Sequence, residues 1–178
     1  CISSFFITKM NLLTENINHD DLKKYIKELY NYIAKELNID VLPRVFLRRD
    51  KANAEDILGK TGGYDPDAQE IHLYITDRHP KDVLRSFAHE LVHHMQKLQG
   101  LDSKVNIDLI HKDEAYAQHD EGLREMEREA FEKGNMLFRA WTDGKKMERK
   151  QQMAEDKKMR RRAEEEAELV KEATSAKY

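Results

Sequence analysis

Cysteine is almost absent from this sequence, since Cys1 is the single one among 178 residues. One cysteine cannot form an internal disulfide, and it cannot build the thiolate cage of a structural zinc site. A reducing compartment is the plain interpretation, so we expect a cytoplasmic protein. The first residue is Cys rather than Met, which favours an over-extended or truncated reading frame with Met10 as the start; a lipidated mature N-terminus is the alternative.

Long apolar runs are also missing. The apolar piece at residues 2–7 is too short for the core of a signal peptide, and nothing approaches the length of a membrane span. The net charge is only -3, which argues against a general binder of nucleic acid or of membrane surfaces. With 39% hydrophobic and 37% charged residues, the chain can build only a modest core.

The composition changes abruptly after residue 142. Residues 145–173 are almost all Lys, Arg, Glu, Gln, Ala and Met, and no heptad pattern of apolar residues is sustained. This predicts a charged tail, either a solvated helix or a fluctuating segment, that could dock an unknown protein partner. The basic run at residues 157–162 suggests nucleic acid, but Glu164–Glu166 follow at once and weaken that interpretation. We therefore divide the chain into an extension (1–19), one domain (20–142) and the tail (143–178).

Helical periodicity marks three segments of the central domain. Apolar residues recur at helical spacing over residues 22–37, and Asn38 ends the pattern. A second helix is predicted to begin at Pro80, where proline suits the first helical position, and to stop at Gly100. A third is predicted over residues 120–141. Strand and turn patterns lie between the first two helices, so the fold class is α+β with a short sheet.

Two strands and a short helix are predicted between these helices. Residues 41–49 alternate as a strand, and residues 52–58 fit a short helix. A turn sequence at residues 65–67 leads into the strand 70–75, in which Ile71, Leu73 and Ile75 share one face while His72 and Tyr74 share the other. We expect the strand 70–75 to form an edge that could hold an extended substrate by strand addition.

The motif that carries chemistry is His89-Glu90-Leu91-Val92-His93. Histidines four residues apart on a helix present two imidazoles to one ion, and the intervening Glu90 can reach an activated water without binding the metal. Zinc suits such a site because it accepts nitrogen and carboxylate ligands and leaves one position for water. His94 lies at a different angle on the helix and is predicted to be an incidental exposed histidine.

Tyr64, the strand at residues 71–75 and the motif helix together resemble the compact, minimal gluzincin group of metallopeptidases. The resemblance covers about residues 41–138 and leaves the tail unexplained. It implies a short sheet edge beside the active-site helix. It also implies a second helix that supplies a glutamate as third zinc ligand, often within a Glu-x-x-Ala pattern, which Glu127-Arg128-Glu129-Ala130 fits.

Helix phase separates the candidates for the third ligand. At about 100° per residue, Glu127 lies beside the inward direction of its helix and Glu129 points toward solvent. We therefore predict Glu127 as the ligand, and Glu129 is the alternative on this helix. A SprT-like arrangement would instead use a third histidine, His111 or His119. The metzincin extension is excluded, because it would require Gly at position 96 and His at position 99, where glutamines stand.

The sequence departs from the gluzincin pattern at one position. Related enzymes often place Asp four residues after the ligand glutamate to orient a histidine, and Phe131 stands there instead. Another group must then orient the imidazoles; Asp113 and Glu114 are candidates by sequence position only. Tyr116 could donate to an oxyanion, although a packed tyrosine is the simpler interpretation.

These observations predict a zinc-dependent metallopeptidase that acts on a protein or peptide substrate. His89, His93 and Glu127 would bind the metal, and Glu90 would be the general base. Two alternatives remain open: an interaction or assembly protein with a structural or vestigial zinc site, and a SprT-like protease with a histidine as third ligand. No membrane association is predicted.

Overall fold

The computed structural model describes residues 19–101 and 121–175. The predictions for Met10, His111, Asp113, Glu114, Tyr116 and His119 lie outside these residues. The elements are, in chain order, α1 (His19–Glu36), β1 (Arg44–Arg48), α2 (Lys51–Glu55), β2 (Gly62–Asp65), β3 (Glu70–Tyr74), α3 (Pro80–Leu98) and α4 (Glu121–Ser175). This confirms the mixed α+β class. None of the described helices combines the length and apolar character that crossing a bilayer requires.

Helix α1 buries one apolar stripe. Leu22, Ile26, Leu29 and Ile33 recur at intervals of three or four residues, which places them on one face, and all four are buried. The helix ends where Asn38 adopts a left-handed conformation with φ of 52°. Asparagine tolerates this conformation better than most residues, so the predicted stop is confirmed.

The three described strands form one sheet in the order β1-β3-β2. β1 runs parallel to β3, and β2 runs antiparallel to it. Ile71 and Leu73 of β3 are fully buried on the inner face, as the alternation predicted. The prediction that this strand is an edge is wrong, because β3 is paired on both sides. Pairing with β1 and β2 gives the backbone amides and carbonyls on both edges of β3 partners, which an edge strand would leave open on one side.

The chain leading into β2 is fixed by side chains from two other segments. Asn53 of α2 donates to the Lys60 carbonyl (2.9 Å) and accepts from the Lys60 amide (2.8 Å). Arg78, which follows β3, donates to the carbonyls of Gly59 (2.9 Å) and Lys60 (3.1 Å). These bonds set the position from which β2, an edge strand, begins.

Helix α3 is the centre of the fold. His79 caps its first turn by accepting from the Lys81 amide (3.2 Å), Pro80 stands at the first position, and the chain leaves through Gly100 with φ of 70°. The predicted boundaries are thus confirmed to within two residues. The helix packs on α1, β2 and β3, so most of its circumference is covered. One part of the core joins four buried residues from three segments: Ile39, Val92, Met95 and Ala130.

Helix α4 continues beyond the predicted end near Trp141 and passes through Asp143-Gly144 without interruption. A glycine inside a helix costs only about 1 kcal/mol, and the following residues are strong helix formers. Ion pairs one turn apart add support, among them Lys146 with Asp143 (2.9 Å). The chain divides into two compact units, residues 1–139 and 140–178. Side chains of the second unit are mostly exposed, as expected for a solvated charged helix.

Small residues bring α4 close to α3. Ala88 and Ala130 are fully buried, and Gly134 is buried one turn after Ala130. A β-carbon at position 134 would lie 3.0 Å from the backbone nitrogen of His89 and 3.1 Å from its α-carbon. Backbone atoms cannot move aside as a flexible side chain can, so glycine is required here for the observed helix separation.

Gly134→Ala should therefore destabilise the protein by about 1–3 kcal/mol, the usual cost of overpacking a core. Gly144→Ala is the matched control, because its β-carbon would meet no atom within 4 Å. In a helix this change is neutral or stabilising by up to about 1 kcal/mol. Urea unfolding followed by circular dichroism measures both. Equal stability of the two variants would contradict the close contact at Gly134.

Candidate metal centre

Two helices bring three potential metal ligands together. The Nε2 atoms of His89 and His93, one turn apart on α3, are 3.0 Å apart. Glu127 of α4 reaches both imidazoles, with 3.3 Å from Oε2 to His89 Nε2 and 3.3 Å from Oε1 to His93 Nε2. The structure thus places the predicted ligands in one cluster, which is arranged to hold a metal ion.

The spacing of these atoms fits tetrahedral coordination. Bonds of about 2.0–2.2 Å at tetrahedral angles separate neighbouring ligand atoms by about 3.3–3.5 Å. The two Nε2 atoms are 3.0 Å apart, and each lies 3.3 Å from a different oxygen of Glu127, so each separation is within a few tenths of an ångström of the tetrahedral spacing. Two imidazoles and one carboxylate also match the donor types that zinc accepts at sites with an open fourth position.

The electrostatics of the cluster favour a cation. Hydrogen bonds from His89 and His93 hold the pKa of Glu127 well below its usual range, so this carboxylate is ionised at neutral pH. Burial alone would lower the pKa of His93, but the hydrogen bond and the charge of Glu127 outweigh burial and raise it. A proton and a metal ion therefore compete for the same place between these side chains, and metal affinity should fall as the pH falls.

Glu90 lies beside the cluster without belonging to it. Its side chain is buried, and burial raises the pKa of its carboxyl group, while the nearby imidazoles of His93 and His89 act in the opposite direction. A cation at the cluster would add to the lowering effect. Glu90 and His89 line the same cavity, so a molecule bound there meets both. Burial thus makes this carboxylate a better proton acceptor than an exposed one.

Gln96 is the site residue that the sequence analysis missed. It is fully buried, and its side-chain oxygen lies 2.9 Å from Nδ1 of His93. A glutamine oxygen only accepts, so His93 must carry a proton on Nδ1. The sequence offered one signal, a polar residue three positions after a ligand histidine on a helix with a wide apolar surface. Position 96 had served only to exclude the metzincin pattern.

Glu129 is engaged away from the ligand cluster. Its Oε2 accepts from Nε2 of Gln96 (2.9 Å), and its Oε1 accepts from Nζ of Lys133 (2.6 Å). These two bonds, the first from Gln96, lower the pKa of its carboxyl group. Glu129 is half-buried rather than directed fully to solvent, because Gln96 of α3 extends across to it. Its oxygens are thus committed to Gln96 and Lys133.

The prediction that His94 is exposed is wrong, since its side chain is fully buried. Its Nε2 lies 2.6 Å from the carbonyl oxygen of Val41, which can only accept, so Nε2 carries the proton. Burial lowers the pKa of His94, the imidazole is neutral, and its Nδ1 accepts from the Tyr64 hydroxyl (2.8 Å). Helix phase failed here because several elements surround α3, so positions outside the ligand face are covered too. His94 and Tyr64 fasten β2 to α3.

A cavity of about 230 Å³ opens beside the cluster. Phe131, whose departure from the gluzincin pattern was noted above, forms part of its wall with a largely exposed ring. It therefore does not orient an imidazole, and it faces the space where a bound molecule would lie. The cavity is lined by Thr61, Arg85, Ser86, His89, Glu90, Phe131 and Asn135.

Comparisons with known proteins found no relationship: no family model matches the chain, and no curated protein or solved structure is significantly similar to it.

Glu127→Ala should weaken zinc binding about tenfold or more, because the variant loses the carboxylate whose two oxygens lie 3.3 Å from the His89 and His93 imidazoles, one oxygen at each. Glu129→Ala is the matched control two positions away and should change the affinity much less, since its carboxylate is not part of the cluster. Competition with a zinc-responsive chelator measures both dissociation constants. A larger loss in Glu129→Ala than in Glu127→Ala would contradict the assignment.

Proposed function

We propose that this chain is a zinc-dependent metallopeptidase. His89, His93 and Glu127 hold the metal, and Glu90 is the general base. The observation that carries the proposal is the position of Glu90, a buried carboxylate beside the three ligand side chains. Among the described residues, Glu90 forms no ion pair that would give it a structural role. A purely structural metal site has no use for such a group.

The chemistry divides between the ion and the protein. His89, His93 and Glu127 would hold the zinc ion, which when bound would supply Lewis-acid polarisation of a peptide carbonyl and a lowered pKa for a water molecule. Glu90 accepts a proton from the attacking water and can return it to the leaving amine, because burial raises its pKa above that of an exposed carboxyl group. Glu127 and the imidazoles hold the cation, and Phe131 forms part of the wall of the adjoining cavity.

The edge strand β2 supports a peptide substrate. Thr61 and Tyr74 form a hydrogen-bonded pair, since the Tyr74 amide donates to the Thr61 carbonyl (3.2 Å). Antiparallel pairs alternate, so the amide and carbonyl of the next residue, Gly62, point away from β3. An extended peptide that pairs with this edge lies alongside Glu90, because a β-carbon at Gly62 would be 2.9 Å from Glu90 Oε1.

The cavity suits one side chain of such a peptide. Pockets that enclose a whole small-molecule ligand usually measure about 300–1,000 Å³, and this one measures about 230 Å³. A peptide held along β2 can therefore insert a single residue next to His89 and Phe131, while its backbone remains at the edge of the sheet.

The rival function is an interaction or assembly protein. The second unit favours it, because several apolar side chains are exposed there, including Met147, Leu169 and Val170. Such a protein would use the metal to hold α3 and α4 together and would need no proton acceptor. Substitution of Glu90 separates the two functions.

Glu90→Gln should keep zinc affinity and thermal stability close to those of the parent, because the amide has the same shape and the residue is not a ligand. Cleavage of a denatured protein or a peptide library should fall about 100-fold or more, because the general base is lost. A chelator control excludes contaminating proteases. Equal cleavage by parent and variant, or no cleavage by a zinc-loaded parent, would move the assignment to the assembly protein.

Gly62→Ala should reduce cleavage about 10- to 100-fold with zinc binding retained, because its β-carbon displaces the Glu90 carboxylate by a fraction of an ångström. Gly63→Ala is the matched control on the same strand, since its β-carbon would have no neighbour within 4 Å. Steady-state cleavage of one peptide gives both rates. Similar rates for the two variants would contradict the role of the close approach between Gly62 and Glu90.

A further inference from the structure

Gln96 uses its whole amide inside the contact between α3 and α4. Its Nε2 donates to the Met126 carbonyl (2.9 Å) and to Oε2 of Glu129 (2.9 Å). Its Oε1 accepts from Nδ1 of His93 (2.9 Å). A fully buried amide must satisfy its polar atoms within the protein, and these three bonds account for both hydrogens and for the oxygen.

The orientation of this amide follows from its partners. The Met126 carbonyl accepts and cannot donate, so the nitrogen end of Gln96 must face α4. The ionised Glu129 carboxylate, which Lys133 also contacts at 2.6 Å, requires the same orientation. The oxygen is left facing His93. A flipped amide would set its oxygen against the acceptor oxygens of Met126 and Glu129, and its NH₂ group against Nδ1–H of His93.

We infer that Gln96 is a positioning residue for the metal centre: it accepts from Nδ1–H of His93 and so keeps a hydrogen on Nδ1, and the Nε2 atom, once its own proton is displaced by a metal ion, directs its lone pair at the position between His89 and Glu127. This inference rests on the proposed metal site. Gln96 thereby takes the part that the gluzincin resemblance would give to an aspartate four residues after Glu127, where Phe131 stands.

The substitution of an amide for a carboxylate has a chemical consequence. An aspartate behind His93 would add a negative charge next to the cluster and make the imidazole more basic. Gln96 fixes the same tautomer and adds no charge. The ligand set then carries a single formal negative charge, that of Glu127, so a bound dication keeps more of its positive charge for polarising a substrate.

Two substitutions separate the acceptor of Gln96 from its donors. Gln96→Met has a similar length and forms none of the three hydrogen bonds. Gln96→Glu keeps an acceptor oxygen for His93 but loses both donors to α4. Gln99→Met is the control, since Gln99 is exposed near the end of the same helix. Both changes at position 96 should lower the free energy of unfolding, because buried hydrogen bonds are lost.

The readouts are the imidazole nitrogen chemical shifts of metal-free protein, which report whether Nδ1 of His93 carries a hydrogen, and the zinc dissociation constant. The parent, Gln96→Glu and Gln99→Met should show His93 protonated on Nδ1. Gln99→Met should bind zinc like the parent, and Gln96→Glu should bind it at least as tightly, because it adds a negative charge behind His93. Gln96→Met should lose the fixed hydrogen on Nδ1 and bind zinc about 10- to 100-fold more weakly.

A metal-free parent in which Nδ1 of His93 carries no hydrogen would overturn the inference without any substitution, even if Gln96→Met failed to fold. Equal loss of zinc affinity in Gln96→Glu and Gln96→Met would also overturn it, because Gln96 would then act only as a bridge between helices. A parent that binds no zinc would instead refute the proposed function, and the chemical shifts of the metal-free protein would still decide the role of Gln96.

Discussion

Gly134 of α4 lies against the backbone of His89 in α3, where a β-carbon would come within 3.0 Å of the His89 nitrogen. This close approach sets the separation of the two helices that carry the candidate ligands. A glutamate side chain is short, so Glu127 can reach both imidazoles at 3.3 Å only if α4 is held near α3. The stability of the core and the geometry of the cluster therefore depend on the same contact.

Buried polar groups on α3 need partners, and their partners explain much of the surrounding structure. His94 is held between Tyr64 and Val41, which fastens the edge strand β2 and the segment before β1 to the helix. Gln96 is held by α4 and in turn holds His93. Leaving any of these groups without a partner in the interior would cost about 1–3 kcal/mol, so the network defines one arrangement of helix and sheet.

The sequence predicted what depends on local spacing. The helical period located α1 and α3 and their ends. The phase of α4 predicted an inward Glu127 and a solvent-facing Glu129, and it was wrong about exposure, since the Glu127 side chain is 53% exposed and the Glu129 side chain 36%. The sequence did not predict what depends on neighbours distant in the chain. The central position of β3, the burial of His94 and the bond from Gln96 to His93 all arise from tertiary packing, and no periodicity within one helix encodes it. The continuation of α4 through Gly144 was missed because a glycine is a weak helix stop when strong helix formers follow.

The central claim is that one zinc ion binds at His89, His93 and Glu127. Zinc-edge X-ray absorption of the purified, zinc-loaded protein tests it most directly. The account predicts one zinc per chain with two imidazole nitrogens at about 2.0–2.1 Å and oxygen ligands at about 2.0–2.2 Å, one of them from Glu127 and another from solvent. A spectrum without imidazole scattering, or one that is unchanged in a His89→Ala, His93→Ala double variant, would contradict it.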